Sequence, residues 1–121
     1  MVRKHNNEFT VLELYVAYKD YFWMMKLTEN LLENLVNNLF GKTKIKFQKQ
    51  LIDFTPPFKK IKFHDLIKEA TGKDISNMDL NKLMEFAKEL KIEVDETMGV
   101  GKLTDLIFSE KCEKKLIEPT F

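Results

Sequence analysis

The run His5-Asn6-Asn7-Glu8-Phe9-Thr10-Val11-Leu12-Glu13-Leu14-Tyr15-Val16-Ala17-Tyr18 decides how the rest of the chain is read. Side chains alternate across a strand, so in an extended segment residues 10, 12, 14 and 16 face one way and residues 9, 11, 13 and 15 the other. The first set, Thr10, Leu12, Leu14 and Val16, suits a core. The second places Phe9, Val11, Glu13 and Tyr15 together, a ring, a carboxylate and a phenol around a small apolar residue, with His5 ahead of them in a polar loop. On residue types alone two readings stand. Either the face holds a ligand, or Phe9 and Tyr15 are second-face packing and Glu13 is solvated.

Working outward, Asp20 to Phe40 carries Met24, Leu27, Leu31, Leu35 and Leu39 at helical spacing, with Lys26, Asn30, Glu33 and Asn37 on the opposite stripe. This spacing predicts an amphipathic helix, and Gly41 stands where a left-handed terminator belongs. From 43 to 63 the pattern changes: Ile45, Phe47, Leu51, Phe54 and Ile61 alternate with lysine and glutamine, which predicts short strands around a turn near Gln48 to Gln50. Pro56 and Pro57 lack the amide a central strand needs, so an edge or a strand boundary is expected there. Helical spacing returns at Phe63, Leu66, Ile67 and Ala70, ending at Gly72. It recurs from Asp79 through Leu80, Leu83, Met84, Ala87 and Leu90, and again over Lys102 to Lys115.

Composition sets limits. A chain of 121 residues, 44% of them hydrophobic, is long enough for one core. A net charge of +1 lacks the electrostatic footprint of an autonomous nucleic-acid binder. Of the 20 basic residues all but Arg3 are lysine, which removes most of the forks that grip phosphate in two places. Cys112 has no partner for an internal disulfide and fits a reducing compartment as a structural thiol. No stretch reaches the roughly 18 apolar residues of a membrane span, and the polar run Arg3 to Glu8 leaves no apolar leader. A cytoplasmic protein without membrane attachment is expected.

The order HN-x-EFT-x-x-E-x-Y, followed by A-Y-x-D, resembles the second class-defining motif of class II lysyl-tRNA synthetases. Further resemblance lies at Ile52 to Phe58, Thr71 to Ile75, Ile92 to Leu103 and Pro119 to Phe121, in family order and over nearly the whole chain. The resemblance implies an α+β fold: a partial class II synthetase antiparallel sheet, made of the motif 2 strand and short strands, with a long helix and a small helical insertion. The expected division is 1–62 for strand, long helix and short strands, 63–116 for the helical insertion, and 117–121 for the start of a truncated strand.

It implies a lysine-tRNA ligase, activating lysine with ATP as lysyl-adenylate and transferring it to tRNA(Lys), with a homodimer for the full enzyme. ATP binding then falls to His5, at the terminal phosphate, and Phe9, stacked on adenine. Lysine binding falls to Glu13, accepting from the α-ammonium, and Tyr15, toward the lysine side chain. Asn7 replaces the family's proline and frees the loop that positions His5 and Phe9. The motif arginines lie outside the chain, and so do the acidic ligands of the implied Mg2+; no catalytic set is complete and no metal ligand is expected here. Catalysis in this class rests on electrostatic stabilisation of phosphate charge, so the chain by itself is expected to be inactive.

Two other readings compete. One is a non-catalytic binding or regulatory protein derived from a synthetase; the other is a plain protein-interaction module using the Asp20 to Phe40 helix. Gly99, Val100, Gly101 and Lys102 do not make a phosphate loop, because Glu96 and Leu103 occupy the positions that need glycine and Ser or Thr. His64 is read as structural, and Lys59 and Lys60 as a solvated strand edge.

Overall fold

The computed structural model describes residues 6–121. Helix α1, Tyr21–Phe40, begins where the Asp20 carboxylate accepts from the Trp23 amide and ends at Gly41, whose left-handed φ of 68° lets its amide reach the Asn37 carbonyl. Strands β1, Lys44–Phe47, and β2, Gln50–Asp53, form an antiparallel hairpin in the register Lys44 opposite Asp53 and Phe47 opposite Gln50. Its two-residue turn carries positive φ at both Gln48 and Lys49, the geometry whose twist matches that of the strands it joins. β2 stops at Asp53, ahead of the prolines. The Asp53 carboxylate accepts from the Thr55 amide at 2.9 Å and turns the chain away.

Three helices follow: α2, Phe63–Thr71, α3, Leu80–Glu89, and α4, Val100–Lys111, with a short 3-10 turn at Glu113–Lys115. α2 ends at Gly72 with φ 79°, and α3 is capped by Asp79, which accepts from the Lys82 amide. α3 ends without glycine. Lys91 takes the left-handed position at φ 59°, its amide bonds to the Lys88 carbonyl, and that of Ile92 reaches back to Ala87. α4 starts two residues before the Lys102 expected from spacing, because Gly99 is its N-cap. It also stops short of the expected Lys115: Cys112 closes it and the 3-10 turn carries on.

The fold class is α+β, four α-helices and a two-stranded antiparallel sheet among the described residues. The large buried cluster lies in the three short helices and the turns beside them: Ile67, Ile75, Leu83, Phe86, Ala87, Ile92, Leu103, Ile107 and Cys112. α1 by contrast buries Glu29 and Val36, and leaves Leu31, Leu35 and Leu39 half or more exposed. Its apolar stripe is wider than the surface it covers.

The chain crosses between these parts at two points. Phe58 to Ile61 runs into α2, and after the helices Thr120 and Phe121 return beside it: the Ile61 amide donates to the Phe121 carbonyl at 3.0 Å, and the Phe121 amide to that of Lys59 at 2.8 Å. The pairing is parallel. Parallel neighbours require a long crossover, and here the crossover is the whole helical unit.

Candidate functional site

The opening segment is not the strand its alternation predicts. Residues 6–20 contain bends at 7–8 and a turn at 17–18 but no ladder. A strand exists by exchanging amide and carbonyl bonds with neighbours. β1 and β2 pair with each other, and among the described residues neither of them bonds to this segment.

Its side chains are correspondingly open. Phe9 is 75% and Tyr15 89% exposed, and Glu13 between them is exposed too. Among the described residues the structure joins none of the three by a hydrogen bond, ion pair or ring contact. His5 lies outside the described residues. The segment's far end is better held: Tyr18 takes a left-handed φ of 59°, the Lys19 ammonium lies 5.8 Å from the centre of the Trp23 ring, and Asp20 caps α1.

The best-built polar cluster lies elsewhere, on a residue that alternation alone does not single out. Glu29 is the buried charged side chain among the described residues, 6% exposed. Its Oε1 accepts from the Phe58 amide at 3.0 Å and from Lys60 Nζ at 2.9 Å. The Lys60 bond, aided by the Phe58 amide and by the charge of Lys26, holds the carboxyl below its ordinary value in spite of burial. The visible signal was a carboxylate on the apolar side of α1, in line with Met25, Leu32 and Val36. Lys60 is therefore not a plain solvated edge. Lys59 stays largely exposed, 3.8 Å from Glu69.

Two open clefts flank this cluster. One of about 410 Å³ lies between Thr28, Leu32, Ile52, Phe54, Phe58 and Phe121; the other, about 800 Å³, runs past Lys59, Lys62, Asp65 and Lys68. The glycine-flanked run at 99–102 opens α4 and does not loop around a phosphate. His64 is exposed, edge-on to Phe63 at 5.8 Å. No three His, Cys, Asp or Glu side chains among the described residues are grouped to hold a metal ion, so the implied Mg2+ finds no fitting site in them. No helix among them is long and apolar enough to cross a membrane.

Residues 1–120 match the family model of the class II tRNA synthetases (D, K and N). The chain is 50% identical over 121 residues to a lysine–tRNA ligase of Porphyromonas gingivalis, covering all of this chain and 21% of that protein. It is 52% identical over 121 residues to that of Christiangramia forsetii, again all of this chain and 21% of the relative. With that of Azobacteroides pseudotrichonymphae it is 49% identical over 117 residues, 97% of this chain and 23% of the relative. The chain thus spans about a fifth of the length of these curated relatives.

Proposed function

The chain belongs to the class II tRNA synthetase family (D, K and N), and from that premise we propose that it supplies one wall of the lysine-activating site of a lysine-tRNA ligase. The observation that carries this reading is its identity of about one half, over its whole length, with lysine–tRNA ligases. The substrates are lysine, ATP and tRNA(Lys). The first reaction joins the lysine carboxylate to the α-phosphate and releases pyrophosphate; the second passes the lysyl group from the adenylate to a hydroxyl of the tRNA and releases AMP.

In this reading residues 9–16 become a strand when sheet neighbours supply partners, which turns Phe9, Glu13 and Tyr15 to one side. Glu13 accepts from the α-ammonium of lysine, a charge-assisted bond that orients the carboxylate for attack. Tyr15, two residues along the same side, faces the lysine side chain. Phe9 stacks on adenine and His5 donates to the terminal phosphate. Homodimerisation of the full enzyme and a cytoplasmic location belong to the same proposal.

The exposure of Phe9, Glu13 and Tyr15 supports a further part of it: the 121-residue chain alone does not form lysyl-adenylate. The purified chain is expected to give no lysine-dependent exchange of pyrophosphate into ATP. Exchange above background would overturn that part. For the residue roles, amide shifts are followed by NMR in the chain joined to the sheet segments of a full-length lysine–tRNA ligase, while lysine and then ATP are raised to millimolar concentrations. Shifts at Glu13 and Tyr15 with lysine, and at Phe9 with ATP, are expected; shifts confined to other residues refute the assignment.

A further inference from the structure

We propose that Glu29 is a positioning residue for the helical unit, its carboxylate clamping the bridged segments through which residues 63–116 leave and rejoin the rest of the chain. The helical unit closes its core on itself, with its buried cluster confined to residues between Ile67 and Cys112. A core that is complete internally does not determine how its owner sits on α1. Something at the neck must do so.

The neck is short. It comprises the parallel pairing of Lys59 and Ile61 with Phe121, stacking of the Phe58 and Phe121 rings at 5.9 Å between centres, and an exposed bond from the Asp53 amide to the Glu118 carboxylate at 2.9 Å. A lone parallel pair of this length is marginal in water. The ion pair between Lys59 and Glu69, the contact from the neck to α2, is exposed and of the kind that contributes little.

Glu29 supplies what is missing. One oxygen of a residue midway along α1 holds the ingoing segment at two points, the backbone amide of Phe58 and the side chain of Lys60. Lys60 carries the connection across the neck, because its ammonium lies 5.7 Å from the centre of the Phe121 ring on the returning segment. A carboxylate buried on an apolar helix face is costly unless both its bonds are made, and they are made in one arrangement of neck against helix. The cluster therefore selects an orientation more than it adds stability. This holds whichever reaction the chain serves.

The test is residue-resolved hydrogen exchange on the 121-residue chain carrying Glu29→Ala, Glu29→Gln, Lys60→Ala or Lys60→Arg. With Glu29→Ala the amides of Phe58, Ile61 and Phe121 should exchange faster by on the order of tenfold, the weight of one charge-assisted hydrogen bond. The amides of Leu83, Leu103 and Ile107, inside the helical unit, should keep their rates. Lys60→Arg should keep the neck protected, Lys60→Ala should loosen it, and Glu29→Gln should fall between wild type and Glu29→Ala. Unchanged rates at Ile61 and Phe121 in Glu29→Gln and Lys60→Ala overturn the proposal, even if Glu29→Ala does not fold. Equal acceleration of neck and core amides overturns it too, since that is loss of global stability and not of position.

Discussion

Replacing Ile107 by valine asks how much of the chain melts as one. Ile107 is fully buried in the cluster formed by α2, α3 and α4, and removing one methylene there should cost about 1 kcal/mol. The shift in melting temperature depends on the size of the cooperative unit. If residues 63–116 unfold by themselves, an unfolding entropy of about 2.1 cal/mol/K per residue turns that cost into a fall of about 9 °C. If all residues unfold together, the same cost gives a fall of about 4 °C. Scanning calorimetry supplies a second reading: the enthalpy of the main transition near 60 °C should be about 40 kcal/mol for the helical unit, against about 80 kcal/mol for the whole chain. The closed core and the exposed leucines of α1 lead us to expect the smaller enthalpy and the larger shift. Leu35→Ala, at a half-exposed position on α1, should leave the main transition where it is. A transition of about 80 kcal/mol that Leu35→Ala and Ile107→Val shift alike would refute the reasoning, because α1 would then share the core.

Three further outcomes follow from local geometry. Asp79→Ala removes the carboxylate that accepts from the Lys82 amide at 2.9 Å and should cost the helical unit about 1 kcal/mol by thermal melting, whereas Asp20→Ala at the head of α1 should not move the main transition. Lys91→Gly relieves a left-handed backbone at φ 59° and should raise stability by about 0.5–1 kcal/mol in denaturant titration. Acid should weaken the fold: the Lys60 bond to Glu29, and the hydroxyls and amides of Thr55, Ser76 and Thr97 beside Asp53, Asp74 and Asp95, hold these carboxyls below their ordinary values of 4.5 and 3.8. Their contribution is complete above those values and lost as pH falls through the lowered folded ones, so the melting temperature should be flat from pH 7 to about 5 and decline toward pH 3.

The elements were legible where one residue type imposes local geometry. Gly41 and Gly72 end helices because a left-handed turn suits them, and Asp20 and Asp79 start helices because a short carboxylate reaches an orphan amide. The end of α3 was less legible, since Lys91 adopts the same left-handed geometry without being a residue that favours it. The turn at Gln48 and Lys49 is of that kind too, visible only as a break between alternating runs. At the neck, extended character was expected at Lys59 and Lys60 and over 117–121, but their pairing could not be read. Its partners, Lys59 and Thr120, are far apart in sequence, and neither carries a mark of the other.

The opening motif poses the reverse problem. Its residues could be named from the sequence, yet their geometry is not a property of this stretch. Alternation states which side chains would share a face if Phe9 to Val16 were a strand. Whether it is a strand depends on amides and carbonyls that adjacent strands must satisfy. A helix closes its backbone hydrogen bonds within itself, so the places of α1 to α4 can be read from local sequence even though packing stabilises them, whereas a sheet wall is a collective object. Glu13 and Tyr15 therefore carry chemical identity without position, and Glu29, which no motif marks, carries position without evident chemistry. Joining the two requires only the turn at 17–18 and the cap at Asp20, because α1 leads from the end of the motif directly to the neck. A ligand wall supplied by residues 9–15 and a helical unit oriented by Glu29 would then share one rigid helix as their common reference.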